Sequence, residues 1–150
     1  MVINEFLVRA KVNTYAAPGE RTEKVLADGG KSFSFRVRNW KYQDKYYGFN
    51  PFIGQEIVWK DGRAVWTMNY SGKVVSKKVV DKDVYSFLRQ ALKLVKKFNP
   101  FRGPAEFSEG EWKYISESIG AVKSFAGLEE IFFKNTKVYE LYFNGGLVKR

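Results

Sequence analysis

The chain has 150 residues, a net charge of +10, a hydrophobic content of 45% and an aromatic content of 17%, with no histidine and no cysteine. That length and apolar content suit one globular domain, 1–150, with a sizeable core. The two missing residue types exclude Ser-His-Asp and Cys-His nucleophilic sites, His- or Cys-based zinc and copper centres, disulfides and iron–sulfur clusters.

No apolar run approaches the roughly 18 residues of a membrane span. Met1–Arg9 lacks a basic leader followed by an apolar core, so a cytoplasmic location is expected. In chain order, Ile3, Phe6, Leu7 and Ala10 fall at helical spacing and predict a short amphipathic helix over 3–12. A loop follows from Asn13 to Lys31, with Ala-Pro-Gly at 17–19 and Asp-Gly-Gly at 28–30. Gly29-Gly30-Lys31-Ser32 resembles the end of a phosphate-binding loop but lacks its first glycine and preceding hydrophobic strand. Ser32–Tyr42 alternates and predicts one strand, and Tyr46–Pro51 reads as a turn. Phe52–Lys60 and Arg63–Ser71 predict strands joined at Asp61-Gly62, a strong hairpin signal.

The clearest helix signal runs over 82–98, with Val84, Phe87, Leu88, Ala91, Leu92, Val95 and Phe98 on one stripe. Asp81 and Asp83 suit its positive start; Lys93, Lys96 and Lys97 suit its negative end. Strands are expected near 111–118, 125–134 and 137–144.

Two segments match without a gap. A shift of 73 lays Phe52, Gly54, Glu56, Val65, Gly72 and Val75 on Phe125, Gly127, Glu129, Val138, Gly145 and Val148. Upstream, a shift of 72 lays Trp40-Lys41-Tyr42 on Trp112-Lys113-Tyr114. Such self-similarity indicates a doubled supersecondary unit, repeat 1 at about 1–76 and repeat 2 at about 77–150. The expected fold is α+β: a duplicated α-β-β-β unit with an antiparallel sheet, two helices on one face and a pseudo-two-fold.

Counting back from Asp61-Gly62 puts Ile53, Ile57, Trp59, Trp66, Met68 and Tyr70 on the helix-covered face. Gly54, Glu56, Val58, Val65, Thr67 and Asn69 take the other face, as do Glu129, Ile131, Val138, Glu140 and Tyr142 of the second copy. Equivalent carboxylates on one open surface suit a cationic ligand, a divalent metal or acid–base work. They equally suit ordinary surface pairs with lysine or arginine. The candidate ligand residues are Glu56, Thr67, Asn69, Glu129, Glu140 and Tyr142, with Arg102 as a bidentate clamp for a carboxylate or phosphate, or alternatively a cap for helix-end carbonyls. Replacing both glutamates by glutamine is expected to leave folding intact. The repeated glycines mark close approach or positive φ.

The basic excess lies in residues 1–100, whereas 101–150 are balanced. Arg36, Arg38, Lys41, Arg89, Lys93, Lys96 and Lys97 are candidates for tracking a nucleic-acid backbone, with Trp40 and Tyr42 available for stacking. The same charge also fits solubility or adaptation to heat.

Several motifs resemble a family. They are Phe52-x-Gly54-x-Glu56-x-Val58, Val65-Trp66-x-Met68-Asn69-Tyr70-x-Gly72, Pro100-Phe101-Arg102-Gly103-Pro104 and Val138-Tyr139-Glu140-Leu141-x-Phe143-x-Gly145, with Asn13-Thr14-Tyr15-Ala16 upstream. The chain is similar over nearly its whole length to small microbial proteins known only as a domain of unknown function. Members occur alone or behind a helix-turn-helix, for which these residues leave no room. The resemblance implies a sensor-like or partner-binding role and carries no catalytic residues. The leading expectation is therefore a non-enzymatic module for a small molecule or protein partner, with no cofactor and no membrane partner. An uncovered sheet face rich in valine and isoleucine offers a homodimer surface. A basic nucleic-acid-binding protein is the second reading. An enzyme using Glu56 and Glu129 with Mg²⁺, or Tyr/Arg chemistry, is the third, without any linked nucleophile, base and orienter to support it.

Overall fold

A computed structural model describes residues 1–16 and 23–149. The Ala-Pro-Gly centre of the expected first loop lies outside them. Two helices, α1 (Ile3–Val12) and α2 (Asp81–Leu92), accompany nine strands. These are β1 (Lys24–Val25), β2 (Lys31–Val37), β3 (Trp40–Gly48), β4 (Phe52–Lys60), β5 (Arg63–Val74), β6 (Glu106–Glu109), β7 (Trp112–Ala121), β8 (Ser124–Phe133) and β9 (Thr136–Leu147). All nine form one antiparallel sheet in the order β1-β2-β3-β4-β5-β9-β8-β7-β6. Neither helix is long and apolar enough to cross a membrane.

This corrects the expected balanced α+β build with two helices on one face: the fold is a single β-rich sheet with two short helices. Three local events shift the balance. The run 32–42 is two strands, because the chain reverses at Arg38, which adopts φ 53°, and Asn39. Glu106–Glu109 adds an edge strand the sequence pattern did not reveal, with one half-buried residue, Phe107. The second helix stops at Leu92 and not near 98. Its last turn tightens through bonds from Leu94 N–H to Ala91 and from Val95 N–H to Leu92. The expected turn at 46–51 is shorter too, since Tyr46 and Tyr47 continue β3 opposite Gly54 and Ile53.

The face assignment is also corrected. The Asp61-Gly62 hairpin starts in the expected register, with Lys60 opposite Arg63 and Trp59 opposite Ala64. A β-bulge then shifts the pairing, so that Val58 meets Trp66 and Glu56 meets Met68. One extra residue, Val65, moves β4 by one position, and with a side-chain period of two every side chain changes face. Gly54, Glu56 and Val58 therefore lie with Trp66, Met68 and Tyr70, while Ile53 is exposed. The same slip recurs in the second hairpin at Ile131/Phe132, placing Glu129 and Ile131 beside Tyr139 and Leu141.

The core lies on this face. Phe6 of α1 sits against Phe35 and Trp40, and Phe87 of α2 against Phe107 and Trp112. Phe101 stacks on Phe125 with centroids 3.8 Å apart, and closes the middle. Gly72 and Gly145 have a shared reason for being glycine. A Cβ there would stand 2.7 Å from the Phe52 ring and 2.8 Å from the Phe125 ring, respectively.

Candidate functional site

Both repeated glutamates are buried in the core at 0% exposure, not on an open face, and their environments differ. Glu129 is saturated. Arg102 grips it with two guanidinium bonds of 3.0 and 2.9 Å, and the Tyr114 and Tyr139 hydroxyls donate to its two oxygens. The Tyr114 hydroxyl in turn accepts the Gly103 N–H. Burial works against the Arg102 charge, but Glu129 with Tyr15 and Tyr139 outweighs it, so the guanidinium stays charged.

Glu56 is served differently. Lys11 of α1 donates to Oε2 at 2.6 Å and to the Phe101 carbonyl at 2.6 Å. Burial pulls the Lys11 ammonium down, and Glu56 opposes this. The other oxygen, Oε1, is buried with no hydrogen-bond partner among the described residues, and so is the Tyr42 hydroxyl. By the repeat, Tyr42 is the counterpart of Tyr114, yet only Tyr114 reaches its glutamate. Trp66 stands where the second copy has Tyr139.

A third carboxylate, Asp44 on β3, has Ser116 as its counterpart. Asp44 lies opposite Glu56 in the sheet and is 4% exposed. The Tyr70 hydroxyl donates to its Oδ1 at 2.5 Å. Tyr70 pairs across β5–β9 with Phe143, its own counterpart in the repeat, so the hydroxyl exists on one side alone. Burial, reinforced by the Glu56 charge, pushes Asp44 up to about 7, against the pull of Tyr70, Lys11 and Arg102. Burial also raises the Tyr15, Tyr42 and Tyr70 hydroxyls well above the usual phenol range.

The buried groups thus comprise two cations, Lys11 and Arg102, and three carboxylates, Asp44, Glu56 and Glu129. Each cation has its own glutamate. Asp44 is the group left over, and it faces a cavity of about 330 Å³. Phe33, Tyr46, Phe52 and Tyr70 from the sheet and Tyr85, Leu88 and Leu92 from α2 give this cavity an aromatic and apolar lining. Lys82, Arg89 and the Glu129-bound Arg102 also line it. Lys82, Tyr85 and Arg89 share one stripe of α2 by their i, i+3, i+7 spacing.

The other sequence candidates scatter. Thr67, Asn69, Glu140 and Tyr142 lie on the opposite sheet face from Glu56, Glu129 and Arg102. There Asn69 joins Gln55 and Asn144 in a side-chain ladder, and Glu140 pairs with Lys137 and Lys73. Arg36 and Lys41 pair on that open face, with Lys41 over the Trp59 ring, and Arg38 sits in the β2–β3 turn. Arg89 is half-buried at the cavity, Lys93, Lys96 and Lys97 follow α2, and Lys97 pairs with Glu5. The basic residues therefore divide between the two faces. Among the described residues no three of Asp, Glu, His or Cys cluster to hold a metal ion.

The carboxylate arrangement and its supporting Phe101-Arg102 loop all fall inside the segment 44–148, which matches the model of the domain of unknown function DUF5680. The chain belongs to that family. No curated protein and no solved structure matches it. The DUF5680 match holds both glutamates, Asp44, Tyr70 and Arg102; Lys11 and Tyr15 precede it. Sequence reasoning missed Lys11, Asp44, Tyr42 and Tyr70 as members of the site. A signal existed for Lys11, which is four residues after Leu7 on the apolar stripe. Asp44 had one as well, being two residues beyond Tyr42 on an alternating strand.

Proposed function

We propose that this DUF5680 chain is a small-molecule-binding module, and that its ligand occupies the aromatic cavity over repeat 1, with Asp44 at the buried end. The observation that carries this reading is the unequal treatment of equivalent positions. Repeat 2 saturates its buried glutamate with four hydrogen bonds. Repeat 1 leaves Glu56 Oε1 and the Tyr42 hydroxyl, neither of which lines the cavity, without partners among the described residues, and adds Asp44, which does line it, with a single donor. Leaving a buried polar atom unsatisfied costs on the order of 1–3 kcal/mol, so a purely structural site is expected to evolve as repeat 2 has. The cavity has the usual character of a ligand site, apolar walls with a few converging polar groups, at the small end of the usual volume range. The residues lining it include no nucleophile with a base and an orienting partner, which supports binding over catalysis.

The test is saturable binding of 8-anilinonaphthalene-1-sulfonate, an apolar aromatic anion, read by its fluorescence. Wild type is expected to bind one equivalent. Leu88→Trp fills the cavity and is expected to abolish that signal while retaining a cooperative melt, with Leu92→Phe as a milder second variant. Equal dye binding by a folded, filled variant refutes this location.

A further inference from the structure

The site just proposed also indicates what chemistry it takes, and the following rests on that reading. We infer that the ligand is a small amphoteric molecule with an aromatic or apolar body, an ammonium group directed at Asp44 and an anionic group held at Lys82 and Arg89.

The inner end is set by charge count. Lys11 is held by Glu56 and Arg102 by Glu129, so neither is available to Asp44 as a primary partner. The ionisable groups that act on Asp44 are themselves buried: Glu56 from β4, Tyr70 from β5, Tyr42 from β3, Lys11 from α1, Tyr15 just after it, and Arg102 from the loop after α2. Tyr70 donates to Oδ1, and Oδ2 has no partner among the described residues. A carboxylate in such surroundings either holds a proton or meets a cation. A ligand ammonium supplies both the charge and the hydrogen-bond donor. The Phe33, Phe52, Tyr70 and Tyr85 rings add the walls that favour cations over rings in a desolvated site.

The outer end is set by α2. Lys82 is exposed and Arg89 half-buried, both line the cavity, and neither forms an ion pair with a carboxylate among the described residues. Two cations at the rim repel a second positive charge on the ligand and attract an anion. Arg102 lines the cavity too, with its charge met by Glu129; the charges left without a partner are therefore Asp44 on the buried side and Lys82 and Arg89 on α2, and a ligand that matches both must be amphoteric.

Three matched probes separate the terms: 4-(2-aminoethyl)benzoate, 2-phenylethylamine, which lacks the anion, and 4-ethylbenzoate, which lacks the amine. Each would be titrated calorimetrically into the full chain and by displacement of 8-anilinonaphthalene-1-sulfonate. At pH 8, where Asp44 is ionised, the amphoteric probe is expected to bind at least about tenfold tighter than 4-ethylbenzoate. At pH 6 that advantage should shrink several-fold. Asp44→Asn should remove it. Arg89→Ala should remove the advantage over 2-phenylethylamine. Equal displacement of the dye by 4-ethylbenzoate and the amphoteric probe, at both pH values, overturns this inference and leaves the cavity as the site. Failure of the dye and all three probes to bind overturns the cavity reading as well. The pH comparison uses wild-type protein and so stands even where a variant folds poorly.

Discussion

Glu56 and Glu129 occupy one sequence pattern and carry different tasks. Glu129 with Arg102, Tyr114 and Tyr139 is a closed structural unit. Removing its charge strands a buried guanidinium, so Glu129→Gln should lower unfolding free energy by about 3–5 kcal/mol, read from urea melts. Glu56→Gln should cost less, since loss of the Glu56 charge relieves the buried Asp44. Equal costs would mean the two sites are alike. Asp44 gives a second prediction. Its folded value, about 7, lies above the ordinary 3.8, so the folded chain holds a proton that the unfolded chain releases. Its contribution to stability is full below pH 4 and falls as pH rises from 4 through 7. Asp44→Asn should therefore match wild type near pH 4 and exceed it by on the order of 4 kcal/mol at pH 8. A gap that does not widen with pH refutes the assignment.

At the scale of elements, the sequence disclosed most strands and the Asp61-Gly62 hairpin, and it marked repeated glycines as places of close approach. A Cβ on Gly54 would stand 2.3 Å from the Tyr70 hydroxyl oxygen, and one on Gly127 would stand 2.2 Å from the Phe143 ring. It did not disclose face. Asp61-Gly62 marks the turn correctly, but alternation counted outward from it fails once Val65 is inserted, and no residue type announces a bulge. That one residue decided whether Glu56 was read as exposed or buried. Deleting Val65 removes the bulge while keeping Val58 opposite Trp66 and Glu56 opposite Met68, and it takes away a half-buried side chain packed against the core. The variant should keep a cooperative thermal transition by circular dichroism, at a lowered midpoint. A variant that melts like wild type would mean the bulge is dispensable. The end of α2 was equally hidden, because the apolar stripe continues to Val95, which is buried without being helical.

For the whole molecule, the doubled pattern supplies an internal comparison. Strands of one half meet those of the other at β5–β9, where Tyr70 faces Phe143. Differences between the halves cannot be ascribed to the fold alone, and they converge on one place: Asp44 for Ser116, Tyr70 for Phe143, Trp66 for Tyr139, Lys11 in place of an arginine clamp. The net charge of +10 does not carry over to this interior, where carboxylates outnumber cations. The measurement that tests this most directly is the side-chain carboxyl ¹³C shift of Asp44 followed across pH in the full chain. A midpoint near 7 is predicted, falling when 4-(2-aminoethyl)benzoate is added. A midpoint near 3.8, unmoved by the amine, would contradict a buried carboxylate awaiting a cation, and with it the site proposed for this chain.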